Sequence, residues 1–184
     1  MREPVELHLD FDRNRQPRGE RVVAEMLVSA AEGAGGLYVD FYAAPDEIKR
    51  LPPDCYIEGA EPERGQGGLG RLLGVQSVSV YVCMRVSTVE QLLQLWEAFG
   101  YSSPKLYRVT DAGLDPAETP LRDELAETFQ WAPLDGMYHL LNDCLCVFRD
   151  LHDEVGIEAL CRPAFEERLR YLARIYLGDE VIGR

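Results

Sequence analysis

Residues 78–100 read VSVYVCMRVSTVEQLLQLWEAFG, and this stretch decides the fold class. Val78, Val80, Val82, Met84 and Val86 alternate with Ser79, Tyr81, Cys83 and Arg85, the period of two of a strand with one face toward a core. After Ser87 the period changes, and Leu92, Leu93, Leu95, Trp96 and Phe99 recur at helical spacing until Gly100. Ser87, with Glu90 three residues on, predicts a capping box at the helix start. A strand feeding an amphipathic helix is the first part of a βαβ unit, and Leu106 to Val109 supplies the returning strand.

The same grammar recurs toward the N-terminus. Val5, Leu7, Leu9 and Phe11 alternate with polar residues, and Leu37, Val39 and Phe41 do so again. Between them Val22, Val23, Met26, Leu27 and Ala30 mark a helix over 20–32, stopped by the glycines at 33, 35 and 36. The order βαβ followed by βαβ resembles the ferredoxin-like split βαβ arrangement. This predicts an α/β (α+β) core over residues 1–110, with two helices across one face of a four-stranded antiparallel sheet. A short helical piece is expected over 46–51, within a loop insertion at about 44–76 that is rich in Gly and Pro.

Beyond Thr110 the pattern reads as helical, with candidates at 121–129, 135–155 and 163–177. In the last, Phe165, Leu169, Leu172 and Tyr176 form an apolar stripe. Residues 111–184 are thus expected to form an acidic helical extension packed on the core, within one structural domain overall.

The chain has 184 residues, 46% of them apolar, enough for an ordinary buried core. No apolar run approaches the ~20 residues of a membrane span. Met1-Arg-Glu-Pro leads straight into the first strand without a secretory h-region, so a cytoplasmic location is expected. Five cysteines without framework spacing read as free, mostly buried thiols of a reducing compartment. Seventeen of the 19 basic residues are Arg, a bias that points to a GC-rich bacterial genome.

The net charge of −13 repels phosphate backbones and anionic lipid, which argues against direct nucleic-acid or membrane binding and for a cationic partner. Residues 111–158 carry twelve acids against two bases, Arg122 and Arg149, and so hold ten of the thirteen net charges. On a helix starting near Asp135, the residues His139, Asp143, Asp150 and Asp153 would share one face opposite Leu141, Leu145 and Phe148. The expected partner-binding set is Asp135, His139, Asp143, Asp150, Asp153 and Glu154.

Motifs for chemistry are weak. Gly65, Gly67 and Gly70 match G-x-G-x-x-G, and the string from Arg64 to Leu73 is similar to the pyrophosphate loop of coenzyme A-dependent acetyltransferases. The context opposes both. Glu61 and Glu63 precede the loop, Gly74 stops any following helix, and Leu69 stands where the acetyltransferase pattern requires Gly or Ala. Cys144 and Cys146, with His139, Asp143, His152 and Cys161 nearby, lack the paired spacing of a zinc site, so no metal and no cofactor is expected. No nucleophile elbow accompanies the three histidines.

The sequence therefore predicts a non-enzymatic protein-binding inhibitor. In type it would be a bacterial immunity or antitoxin protein that occludes a basic toxin or effector domain. The alternatives are a small-molecule or coenzyme-binding transferase using the Gly65–Gly70 loop, and a DNA-mimicking decoy.

Overall fold

The computed structural model describes residues 3–10, 19–44, 46–62, 78–99, 105–122, 125, 134–150, 156–178 and 181–183. The strands are β1 (Val5–Asp10), β2 (Gly36–Ala43), β3 (Tyr56–Pro62), β4 (Val78–Val86), β5 (Lys105–Thr110), β6 (Cys144–Asp150), β7 (Gly156–Cys161) and β8 (Val181–Gly183). The helices are α1 (Gly19–Ala31), α2 (Val89–Phe99) and α3 (Pro163–Leu177), and short 3₁₀ helices cover Ile48–Arg50 and Leu134–Asn142.

The strands form one sheet in the order β3-β4-β2-β5-β6-β7-β1-β8, and every neighbouring pair is antiparallel. This corrects the expectation of a four-stranded ferredoxin-like sheet. The β4-α2-β5 unit does straddle β2, as a split βαβ unit does. The first βαβ unit, however, does not close beside it. β1 lies four positions from β2, with β7, β6 and β5 between them, and β7-α3-β8 straddles β1 in turn. Three strands of the sheet come from beyond residue 110, where helices were expected.

The main error lies over 135–155. Among the described residues there, 134–142 is helical, as a 3₁₀ segment, and Cys144–Asp150 is strand β6 in the middle of the sheet. Cys146, Val147 and Phe148 are all buried, because both faces of this strand are covered. A strand buried on both sides loses its alternation and then fits a helical stripe equally well.

One face of the sheet carries the three helices. Leu7, Leu9, Val39, Phe41, Val82, Tyr107, Phe148 and Ala159 pack there against Val23, Leu27, Leu92, Trp96, Phe165 and Leu169. α1 meets α2 through Arg21, which donates to Glu90 at 2.9 Å, and meets α3 through a hydrogen bond between Ser29 and Tyr176 of 2.9 Å. The cap of α2 is displaced by one residue from the expected box. Thr88 Oγ1 accepts the Gln91 N–H at 3.2 Å, and Gln91 Oε1 accepts the Ser87 N–H at 2.8 Å. Glu90 is left to pair with Arg21.

The opposite face has its own core, of Tyr38, Tyr81, Cys83, Leu106, Val147 and Leu160 under Leu121, Leu125, Met137, Leu140 and Leu141. The cover is made by residues 111–122 and by the 3₁₀ segment at 134–142. No described helix is long and apolar enough to cross a membrane.

Candidate functional site

The second face positions the charge. In β2, β4 and β5 the residues alternate between the two layers, so Tyr38, Asp40 and Tyr42, Tyr81 and Cys83, and Arg108 all point away from the helices. The segment leaving β5 turns back over them. Gly35 sits directly under its start, where a Cβ would come within 2.2 Å of the Ala112 carbonyl oxygen. Only glycine fits there.

Asp40 and Arg108 are buried and paired. Arg108 Nε donates to Asp40 Oδ2 at 2.8 Å and Nη2 to Oδ1 at 2.7 Å, the two-pronged geometry that suits a guanidinium to a carboxylate. Tyr81 also donates to Asp40 Oδ1, at 2.5 Å, and Arg108 Nη2 reaches Cys83 Sγ at 3.3 Å. Burial pushes the Asp40 carboxyl up, against the pull of Arg108. Burial opposes the charge on Arg108 as well, but Asp40, Cys83 and Tyr81 together outweigh it and hold the guanidinium protonated. Burial and the Asp40 charge together push the Tyr81 phenol far up, so it stays a donor.

The remaining valences of this cluster hold the covering segment. Arg108 Nη1 donates to the Thr119 carbonyl at 3.0 Å, and Tyr81 Oη accepts the Leu121 N–H at 3.0 Å. Tyr38 Oη donates to the Leu114 carbonyl at 3.3 Å and accepts the Leu114 N–H at 3.2 Å, while Tyr42 donates to the Arg122 carbonyl at 3.0 Å. Residues 111–122 thus form a strap bonded to the sheet at four places.

The outer surface of the strap is acidic, with Asp111, Asp115 and Glu118 all exposed. Arg162 ties its beginning to the 3₁₀ segment: Nη1 donates to Asp111 Oδ2 at 3.0 Å, Nε to the Leu141 carbonyl at 2.7 Å and Nη2 to the Asn142 carbonyl at 2.8 Å. Asp143, the next residue, is exposed at the same end of the sheet.

Of the expected partner-binding residues, His139 and Asp143 lie on the surface, and His139 Nδ1 is 3.0 Å from the Gly136 carbonyl oxygen. Asp135 falls in the 3₁₀ segment, and Asp150 at the far end of β6. Seven residues of extended chain separate Asp143 from Asp150 by about 20 Å, so they share no ridge. Asp153 and Glu154 lie outside the described residues, as do Gly65, Gly67 and Gly70. Among the described residues no group of three His, Cys, Asp or Glu side chains is placed to hold a metal ion.

The sequence reading missed Asp40, Tyr81 and Arg108. Asp40 and Tyr81 alternate with the apolar residues of their strands and so read as solvent-facing, and nothing in the pattern shows the second covering layer that also buries Arg108. The available signal was Asp40 and Arg108 at mid-strand among aromatic neighbours. Searches of protein-family models, curated proteins and solved structures find no match to this chain.

Proposed function

We propose that the chain is a binding protein that docks a basic protein partner on its acidic strap and occludes it, in the manner of an immunity or antitoxin protein. The observation that carries this reading is the fixing of the strap. Asp111, Asp115 and Glu118 stand on backbone bonded to Tyr38, Tyr42, Tyr81 and Arg108, so the charged surface is ordered before a partner arrives. A fixed negative patch on a chain of net charge −13 raises association rates with cationic surfaces and rejects anionic ones. Arg- or Lys-rich faces of nucleases and other nucleic-acid-acting proteins are its chemical complement.

The test compares the wild-type chain with Asp115→Lys/Glu118→Lys/Asp143→Lys as bait for chemical cross-linking in extracts of its native cells. The proposal expects a basic protein that is cross-linked by the wild type, lost with the triple variant, and bound about tenfold or more weakly when salt rises from low to several hundred millimolar. Cross-linking that persists unchanged in the triple variant would overturn it.

A further inference from the structure

From the β6–β7 pairing we propose that Cys146 and Cys161 form a dithiol site that a two-electron oxidant of the peroxide class closes to a cross-strand disulfide. The two cysteines are direct partners in the antiparallel register of β6 and β7. The next pair outward, Leu145 and Arg162, is joined by the Arg162 N–H to Leu145 carbonyl bond of 2.9 Å. Hydrogen-bonded and non-hydrogen-bonded pairs alternate along such a ladder. Cys146 and Cys161 are therefore of the non-hydrogen-bonded kind, with Cα atoms about 4.5 Å apart and side chains at closest approach. A disulfide requires Cα separations of about 4.4–6.8 Å.

The other thiols are placed differently. Cys146 and Cys161 are fully buried in the helix-side core, whereas Cys83 and Cys144 belong to the strap-side core and Cys55 lies half-buried at the edge of the helix layer. The sheet separates the pair from Cys83 and Cys144. The two thiols also differ in kind. A hydrogen bond from Cys146 holds the Cys161 thiol below its ordinary range, while burial pushes Cys146 well above its own. Cys161 is the attacking group, since the thiolate is the nucleophile.

The chemistry balances without a cofactor. The Cys161 sulfur attacks one peroxide oxygen and breaks the O–O bond, giving a sulfenic acid and releasing the other oxygen as water. The Cys146 sulfur then attacks the Cys161 sulfur, its proton leaves with the sulfenic hydroxyl as a second water, and the S–S bond forms. Two thiols lose two electrons and hydrogen peroxide gains them. The site is independent of the acidic strap.

The experiment treats the folded full chain with hydrogen peroxide, denatures it, blocks remaining thiols with iodoacetamide and maps peptides without reductant. The expected product is a peptide linking Cys146 to Cys161 and lacking two hydrogens, reversed by dithiothreitol, with a thermal midpoint several degrees above that of the reduced chain. Cys146→Ala should abolish the link, and Cys55→Ser should form it as the wild type does. If both thiols are alkylated after peroxide, or Cys161 is linked to Cys55, Cys83 or Cys144, the proposal is wrong.

Discussion

Asp40 and Arg108 show how a single charged pair in a strand can serve two layers at once. The pair is removed from water, so its mutual attraction must offset the desolvation of both ions, and the Tyr81 and Thr119 bonds complete its valences. Asp40→Ala leaves a buried guanidinium without its counter-ion, and equilibrium urea unfolding should show a loss of about 3–5 kcal/mol. Asp40→Leu/Arg108→Met should recover much of that loss, because the pair's net contribution is smaller than the cost of breaking it. None of this could be read from spacing. Asp40 between Val39 and Phe41, and Arg108 between Tyr107 and Val109, look like outward residues of half-buried strands, and only the course of residues 111–122 makes them interior. Cys55 is a second residue whose chemistry depends on its surroundings. Burial, helped by the neighbouring Asp54 charge, pushes its thiol up to about 11. The thiolate fraction below that value grows tenfold per pH unit, so iodoacetamide labelling of Cys55 in the folded chain should rise about a hundredfold from pH 8 to pH 10. Peptide mass spectrometry against a free-thiol standard measures the rate.

The strap is the element on which the proposed docking rests, and its attachment gives it distinct signatures. Tyr81→Phe removes the acceptor of the Leu121 N–H and the third bond to Asp40. Hydrogen exchange at Leu121 should accelerate well beyond any change in α3, with a stability loss of about 1–3 kcal/mol. Gly35→Ala drives a Cβ into the Ala112 carbonyl, and backbone cannot yield as a side-chain tip can. That variant should lose about 1–3 kcal/mol in thermal or urea melts and loosen the strap at Leu114. Elements with a clear polar–apolar alternation or a helical stripe were legible in advance: β2, β4, α1, α2 and the Phe165–Leu172 stripe of α3 all stand within a few residues of their expected places. β6 was not. Cys144, Leu145 and Phe148 satisfy a helical period as well as a doubly covered strand, and a short apolar run holds nothing that separates the two. The 3₁₀ segment before it strengthened the wrong reading.

On the scale of the molecule, the sheet is wider than any local pattern implied. Strand order is fixed by contacts between residues more than a hundred positions apart, such as Val5 with Cys161 and Leu7 with Gly183, which leave no periodic trace in the chain. Charge, in contrast, was legible as a number but not as a surface. The acids at 111–118 were counted correctly within the negative half, yet the helical ridge drawn through Asp143 and Asp150 is divided by a whole strand. The arrangement instead pairs Asp111 with Arg162, which also bonds the Asn142 carbonyl beside Asp143 at one end of the sheet.

The position of β1 has a bearing on how the chain comes to be made. β1 is made before the other described strands, and its sheet partners β7 and β8 are made after them. At about 5–20 residues per second, the ribosome takes roughly 7 to 30 seconds to deliver the partner that β1 requires. During that interval Leu7 and Leu9 have no ladder to join, while α1, β2, β4, α2 and β5 can already assemble around their own nearer contacts. The pairing of β1 with β7 and β8 is therefore a late step, and a polypeptide halted before residue 156 would keep β1 unpaired.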